Sequence, residues 1–577
     1  MITSSNPANE VLSAPYIPPN YVVNKYGVFK LENEEKIAVC DPLYVSALAR
    51  DESGNDWGKL LEWHDKDGRA HQWAMPNSML AGDGVEYRRV LLTQGLGIRA
   101  GRKAQNALHD YIMSANPANR AISTSQTGWN KACYVMPDGF VIGEGADKVL
   151  LQISGSLPKL QKRGSLESWK ENVAKYAEGN SRLVFALSAS LSGVLLYCMN
   201  ESSGGFHFSG GSSTGKTTAL SVANSVWGAP LRSWRTTDNA AECWARFAND
   251  GFLAIDELGQ VDPKSAERMA YMLGNGQAKG RANRDGSAKD TSEFRLVFLS
   301  TGEIGLGDKL SEDNKKVKAG QVVRLVEIPA DAGAGMGVFE NIHHFESANA
   351  FSIYLKKEAE ENTGYAARAF LEAFVRYNRE KTTSLLINKV SEWMEQNVPS
   401  GADGQVQRVA RRFALVAVAG ELAINCGIFP WKKATAFSAA SACFKSWLRA
   451  RGGVDSHEVQ EGINALLQYL ERHGNSRFQI LGKSEETVVV HNRTGFKRQS
   501  TDDKWMYFIT PETFRADVLG GSKNTRDVIK AAVAEGLIIP DSEGNYTQPR
   551  ELSGLKKTRV LCIMPSLHRR RDVTEGD

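Results

Sequence analysis

Phe206-His207-Phe208-Ser209-Gly210-Gly211-Ser212-Ser213-Thr214-Gly215-Lys216-Thr217-Thr218-Ala219-Leu220-Ser221-Val222-Ala223 is the stretch on which the fold turns. Its first four residues read as a short strand and its last six as a helix. Between them lies G-x-x-x-x-G-K-[ST], Gly210 to Thr217. The pattern carries a mechanism: glycines let consecutive backbone N–H groups turn onto phosphate oxygens, the lysine reaches the β and γ phosphates, and the next hydroxyl ligates Mg²⁺. The helix that starts there adds the partial positive charge of its N-terminus. Gly210, Gly211, Ser212, Ser213, Thr214, Gly215, Lys216, Thr217 and Thr218 are therefore expected to bind the nucleotide, with ATP and Mg²⁺ as cofactors.

Working outward, Gly251-Phe252-Leu253-Ala254-Ile255 is an apolar strand closed by Asp256-Glu257, forty positions beyond Lys216. The aspartate suits the Mg²⁺ shell alongside Thr217, and the glutamate suits orienting and deprotonating an attacking water. Two adjacent acids imply hydrolysis beyond binding. A third run, Phe294 to Leu299, ends in Ser300-Thr301-Gly302-Glu303. In ring ATPases a polar side chain at this strand tip senses the γ-phosphate, which makes Ser300 or Thr301 the candidate; a plain strand leading into a polar turn is the alternative. Gly320 to Pro329 then places Arg324 inside a β-type run. A planar, permanent charge suits a finger reaching a neighbouring subunit's phosphates, against an ordinary exposed strand arginine. Gly274 to Gly286 holds Lys279, Arg281, Arg284 and four glycines, the composition of a projecting loop that touches a nucleic-acid backbone, or of a solvated turn.

At 577 residues the chain spans roughly three to four domains at ~150 residues each. Seventy basic against sixty-six acidic residues leaves +4, so a nucleic-acid partner must be argued locally. The seven cysteines are scattered singly, with no zinc spacing, as in a reducing compartment. The N-terminus lacks a secretory pattern and Leu183 to Met199 is short for a bilayer span and carries three serines, so a buried helix and a cytoplasmic chain with no membrane partner are expected.

The expected architecture is multidomain α/β. It comprises a flexible arm (1–20), a β-rich domain (21–160) with one helix over Lys103 to Met113, a P-loop core with a parallel sheet (161–340), a helical domain (341–450) and a C-terminal region (451–577). From about 508 to 565 the order helix, turn, helix, strand, hairpin and strand matches a winged helix. Its second helix, with Ser522 as N-cap, carries Lys523, Asn524, Arg526 and Lys530 outward and Val528, Ile529, Ala532 and Val533 inward. Such a module docks DNA or protein. Asp65-Lys66-Asp67-Gly68 imitates a paired-acid primase site but reads better as a hairpin turn.

Gly128-Trp129 with Tyr134-Val135-Met136-Pro137-Asp138-Gly139, the Ser209-to-Thr218 loop, Trp234-Arg235-Thr236-Thr237-Asp238-Asn239, Asp256-Glu257-Leu258, Gly274-Asn275-Gly276, Phe298 to Glu303 and Gly320 to Pro329 resemble the family numbered nine-two-seven among domains of unknown function, over about residues 20–450. Its members resemble helicase-like ATPases of phages, plasmids and chromosomal islands, similar to superfamily 3 and the wider AAA+ group. The resemblance implies a DNA helicase or translocase driving a mobile element's replication, hexameric by family analogy, with catalytic Lys216, Glu257, Arg324 and Ser300 or Thr301, and a primase on a separate chain. An ATPase switch in defence or regulation, or an origin-binding initiator without unwinding, are the other readings.

Overall fold

The computed structural model describes residues 16–565 apart from 33–34, 154–156, 283–287, 290–292, 314–322, 452, 454–456, 482–489, 501–502, 522–523 and 553–554. Its centre is a five-stranded sheet made of β1 (Gly204–Ser209), β2 (Arg232–Ser233), β3 (Gly251–Asp256), β4 (Leu296–Gly302) and β5 (Leu325–Pro329). The spatial order is β2-β3-β4-β1-β5, and every pairing is parallel. Both faces are covered, which is why β3 and β4 are continuous apolar runs without alternation.

On one face lie the helices Ser181–Leu196 and Lys216–Ser225. Every residue of Ser181–Leu196 is buried, and the hydroxyls of Ser188, Ser190 and Ser192 donate back to the carbonyls of Val184, Leu187 and Ala189. Those backward bonds satisfy the polar groups of an otherwise apolar core helix. Among the described residues no helix is long and apolar enough to cross a membrane. The other face packs Leu253, Ile255, Leu296 and Phe298 against Ala241, Ala245, Ala266, Met269 and Leu273 of the helices Asp238–Phe247 and Pro263–Asn275.

N-terminal to this sheet, three antiparallel strands span Tyr21–Cys40. A mixed five-stranded sheet follows, in the order Lys148–Leu151, Arg120–Thr124, Leu43–Arg50, Gly58–His64, Ala70–Pro76. Its helix Arg102–Ser114 buries Ala104, Ala107, Leu108, Tyr111 and Ile112, one residue beyond the expected span at each end. Asp65 to Gly68 is a hairpin turn: the Asp65 N–H donates to Arg69 O at 2.9 Å, and Gly68 takes φ +76°.

The compact units cut across the expected boundaries. Residues up to 317, 324–395 and 412–443 form one unit, so most of the helical segment joins the sheet. Phe413 shows why: its ring lies 5.3 Å from Phe185 and 5.1 Å from Phe206, inside the core that backs β1.

The second unit holds Gln396–Arg411 and the residues from Phe444 on. Its sheet runs Phe478–Ile480, Gly495–Gln499, Trp505–Ile509, Leu555–Ile563, Ile538–Ile539, with Gln548–Leu552 paired to Leu555–Ile563. Helices Thr525–Ala534 and His457–His473 share its core through Val528, Ala532, Ile463 and Leu466. The strands at 478–480 and 495–499 extend this unit well before residue 508, where the sequence pattern first becomes distinctive.

Candidate functional site

In a parallel sheet all carboxyl ends lie on one edge, so residues far apart in sequence meet there. The loop between β1 and the helix Lys216–Ser225 is built from left-handed residues: Ser213 and Gly215 have φ +62° and +85°. It is propped from beneath by the segment after β5, where the Ala330 N–H donates to Ser209 O (2.7 Å) and the Val338 N–H to Thr214 O (2.9 Å). Lys216 is 8% exposed, and its Nζ lies inside the loop, donating to the carbonyls of Gly210 (2.9 Å) and Gly211 (2.6 Å) and to Thr214 Oγ1 (3.3 Å). Thr217 is half-buried at the helix start, and Thr218 is buried, its hydroxyl 2.6 Å from that of Ser352. The outer residues Gly211, Ser212 and Ser213 are exposed.

β4 lies between β1 and β3, so its tip separates the loop from the acidic pair. Asp256 Oδ1 accepts from the Thr301 hydroxyl and, at 3.1 Å, from the Glu257 N–H. Glu257 has φ +64°, a conformation that is costly for a residue with a side chain and recurs at functional turns. The structure separates Ser300 from Thr301. Alternation along β4 puts them on opposite faces. Thr301 faces Asp256, whereas Ser300 is fully buried, its Oγ 2.7 Å from Trp234 Nε1 and 2.9 Å from His207 Nδ1. Thr301 is equally buried, so what distinguishes the two is direction: the Ser300 hydroxyl is turned away from Asp256 towards His207 and Trp234. His207 is wholly buried, and burial above all, with the Lys216 charge adding to it, pushes its imidazole down to about 4 despite the Ile304 carbonyl that accepts from it. Burial also raises the Glu327 carboxyl of β5, partly offset by the Ser209 hydroxyl.

Arg324 does not lie within β5. Val323 and Arg324 form a helical turn before it, at the amino edge, about five residues or ~16 Å of strand away from the loop. The run of apolar residues made the two segments read as one strand. Arg324 Nε donates to Asn275 Oδ1 (2.5 Å) and its guanidinium lies 5.1 Å over Tyr271. The same edge carries an antiparallel ribbon, Arg281–Ala282 with Ala288–Lys289, next to an exposed Lys279. Arg284 lies outside the described residues.

In the second unit the helix starts at Thr525 with Asn524 as N-cap, so Ser522 is not the cap; Ser522 and Lys523 lie outside the described residues. Arg526 and Lys530 are exposed, whereas Val528, Ile529 and Ala532 are buried.

One contact set involves residues that the sequence shows only as part of the family resemblance, with no role attached. Gly128 has φ +90°, and a Cβ there would lie 2.6 Å from the Asp250 carboxylate. The Trp129 N–H donates to Asp250 Oδ2 (3.0 Å), Tyr134 Oη to Asp250 O (2.9 Å) and Arg295 Nε to Asp250 Oδ1 (3.1 Å). Gly128, Trp129 and Tyr134 thus fasten the N-terminal strands to the amino edge of the sheet.

With this geometry in place, the comparisons define a class. Residues 21–293 match the model of a family described only as a domain of unknown function, DUF927; the match ends before β4, short of the span to about 450 read from the motifs. Among solved structures the chain is similar to one named SCCmec type IV Cch, active helicase, with a TM-score of 0.64 and 16% identity over 94% of this chain and 97% of that one. That likeness shows a shared multidomain α/β fold with a parallel sheet. No curated protein matches.

Proposed function

We propose that this chain is an ATP-driven DNA helicase or translocase of a mobile element, working in the cytoplasm as a ring of identical subunits, six by family analogy. The observation that carries the reading is the convergence of Lys216, Thr217, Asp256, Glu257 and Thr301 on one sheet edge beside a loop of left-handed residues. The strand order, with β4 inserted between the loop strand and the acidic strand, and a glutamate directly after the aspartate support a P-loop core of the AAA+ or superfamily 3 kind.

The donor set suits Mg-ATP. Gly210 to Thr218 would hold the triphosphate with their N–H groups, and Thr217 and Asp256 the metal. Bound Mg²⁺ neutralises phosphate charge as the bond breaks. Glu257 would take the water proton, Lys216 would neutralise the β and γ phosphates, and Thr301, bonded to Asp256, would report the γ-phosphate. Arg324 of one subunit would complete the pocket of the next, and Lys279, Arg281 and Arg284 would grip the DNA backbone. The Thr525–Ala534 helix, read as part of a winged helix, would contact DNA through Asn524, Arg526 and Lys530, with Lys523 just before it. A primase would come from another chain.

The test is ATP hydrolysis by the full chain with and without single-stranded DNA, and strand separation on a forked duplex. Stimulation by DNA, unwinding, and a loss of at least about a hundredfold in Lys216→Ala are expected. Hydrolysis indifferent to DNA with no strand separation rejects the motor.

A further inference from the structure

The buried chain beneath the phosphate edge has a direction that hydrogen-bond chemistry alone fixes. An indole N–H only donates and a carbonyl only accepts. His207 Nε2 lies 3.0 Å from Ile304 O, so Nε2 carries the proton and donates. Nδ1 of the neutral ring is then an acceptor, and its partner at 2.9 Å, Ser300 Oγ, must donate to it. Ser300 Oγ keeps its lone pairs for Trp234 Nε1–H at 2.7 Å. The order is Trp234 to Ser300 to His207 to Ile304, each link donating to the next, and all three side chains are fully buried.

Every link lies just below a part of the candidate site. His207 is on β1, three residues before Gly210; Trp234 directly follows β2; Ser300 precedes Thr301; Ile304 closes the loop after β4. The two faces of β4 are thereby tied to different partners, Thr301 to Asp256 on one and Ser300 to His207 and Trp234 on the other. A shift of the β4 tip breaks bonds in a dry interior where each orphaned polar group is costly.

We propose that His207 and Ser300 are positioning residues for ATP hydrolysis: their hydrogen-bonded chain sets where Thr301 and Asp256 stand relative to the phosphate loop. This rests on the function proposed above and adds a role the strand-tip motif does not contain, because the motif offers Ser300 or Thr301 to the ligand and the geometry ties Ser300 to the scaffold. The hydrogen bonds of the chain run to Ile304 and not to the loop, and the neutral His207 carries no charge towards Lys216, so the effect expected is on the chemical step with nucleotide affinity little changed.

The experiment measures kcat for ATP hydrolysis and Kd for Mg-ATP in full-length wild type, Ser300→Ala, His207→Gln and the double variant. Ser300→Ala removes one oxygen and decides the matter by itself if the glutamine variant does not fold. Each single variant should lose about tenfold or more in kcat with Kd within about twofold, as expected of misplacement by a fraction of an ångström. The double variant should lose no more than either single one, since both break the same chain. Wild-type kcat in Ser300→Ala, or Kd and kcat declining together with additive effects, overturns the inference and leaves the motor reading standing. A wild type that binds and hydrolyses no ATP overturns both.

Discussion

The two edges of one sheet make different use of the same strands. At the carboxyl edge, five short parallel strands bring Lys216, Asp256, Glu257 and Thr301 to one side of the sheet from across residues 216–301, and the groups are bonded to one another or to the loop itself. At the amino edge the basic residues Lys279 and Arg324 stand among exposed positions and a two-stranded ribbon, with Arg324 resting on Tyr271 and Asn275. One edge is organised inward, as chemistry on a small ligand requires. The other carries its basic residues on exposed or half-buried positions, which suits the contacts with a second chain or a polymer proposed for it. In a ring the two are halves of one site only if the amino edge of one subunit meets the carboxyl edge of its neighbour.

That condition gives the largest expected effect. Arg324→Ala should lower kcat for ATP by about a thousandfold, the range of arginine fingers, while each subunit still binds nucleotide. Lys216→Ala should be equally inactive through the opposite edge. Mixing the two inactive proteins creates interfaces that carry an intact lysine and an intact arginine, so activity should return in part. Arg324→Ala within about threefold of wild type, or a mixture as dead as its components, would separate the two edges.

The residues proposed to act at the carboxyl edge could be picked out because they are contiguous: Gly210 to Thr217 and Asp256-Glu257 can be read without knowing what they touch. Their scaffold could not. Ser300 and Thr301 are neighbours in sequence, and only their alternation across β4, fixed by pairing with β1 and β3, tells which faces Asp256. At the amino edge the reading failed on continuity, since Val322 to Ile328 has strand composition throughout while Val323 and Arg324 take a helical turn. Gly128 entered the sequence reading only within the family resemblance, and its purpose was opaque because its partner Asp250 lies over a hundred residues away. The boundary of the helical segment was hidden for a similar reason: helical periodicity reports which face is buried, and only the fold reports that Phe413 is buried against Phe185 and Phe206.

The buried titratable groups sharpen the contrast in acid. His207, behind the carboxyl edge, is held near 4 by burial against an ordinary value of about 6.5. Below pH 6.5 the unfolded chain takes up a proton that the folded chain refuses, so this contribution is complete above about pH 6.5 and is lost as pH falls towards 4. A shift of about 2.5 units corresponds to ~3 kcal/mol. Asp250, at the amino edge, shifts the opposite way, raised by burial against the Arg295 charge. There the folded chain takes up its proton first, and this contribution falls as pH rises from 3.8 through the raised folded-state value. Urea unfolding at pH 7 and pH 4.5 should therefore show a steeper acid loss for wild type than for His207→Gln, whatever the variant's stability at neutral pH. Equal slopes would mean that the imidazole is solvated and the chain through Ser300 is not formed.

The smallest effect concerns the ribbon. Removing the charges of Lys279 and Arg281 should weaken single-stranded DNA binding more at low salt than at high salt, because each phosphate contact releases counterions. With ~0.7 per contact on a single strand, two contacts reduce the slope of log K against log salt by roughly 1.4. The same pair of substitutions should leave the Mg-ATP Kd unchanged, since the ribbon springs from the edge opposite the phosphate loop. A change in affinity with an unaltered salt slope would assign these residues to folding of the ribbon. An unaltered affinity would move the DNA contact off the amino edge altogether, and with it the reason for that edge to face outward.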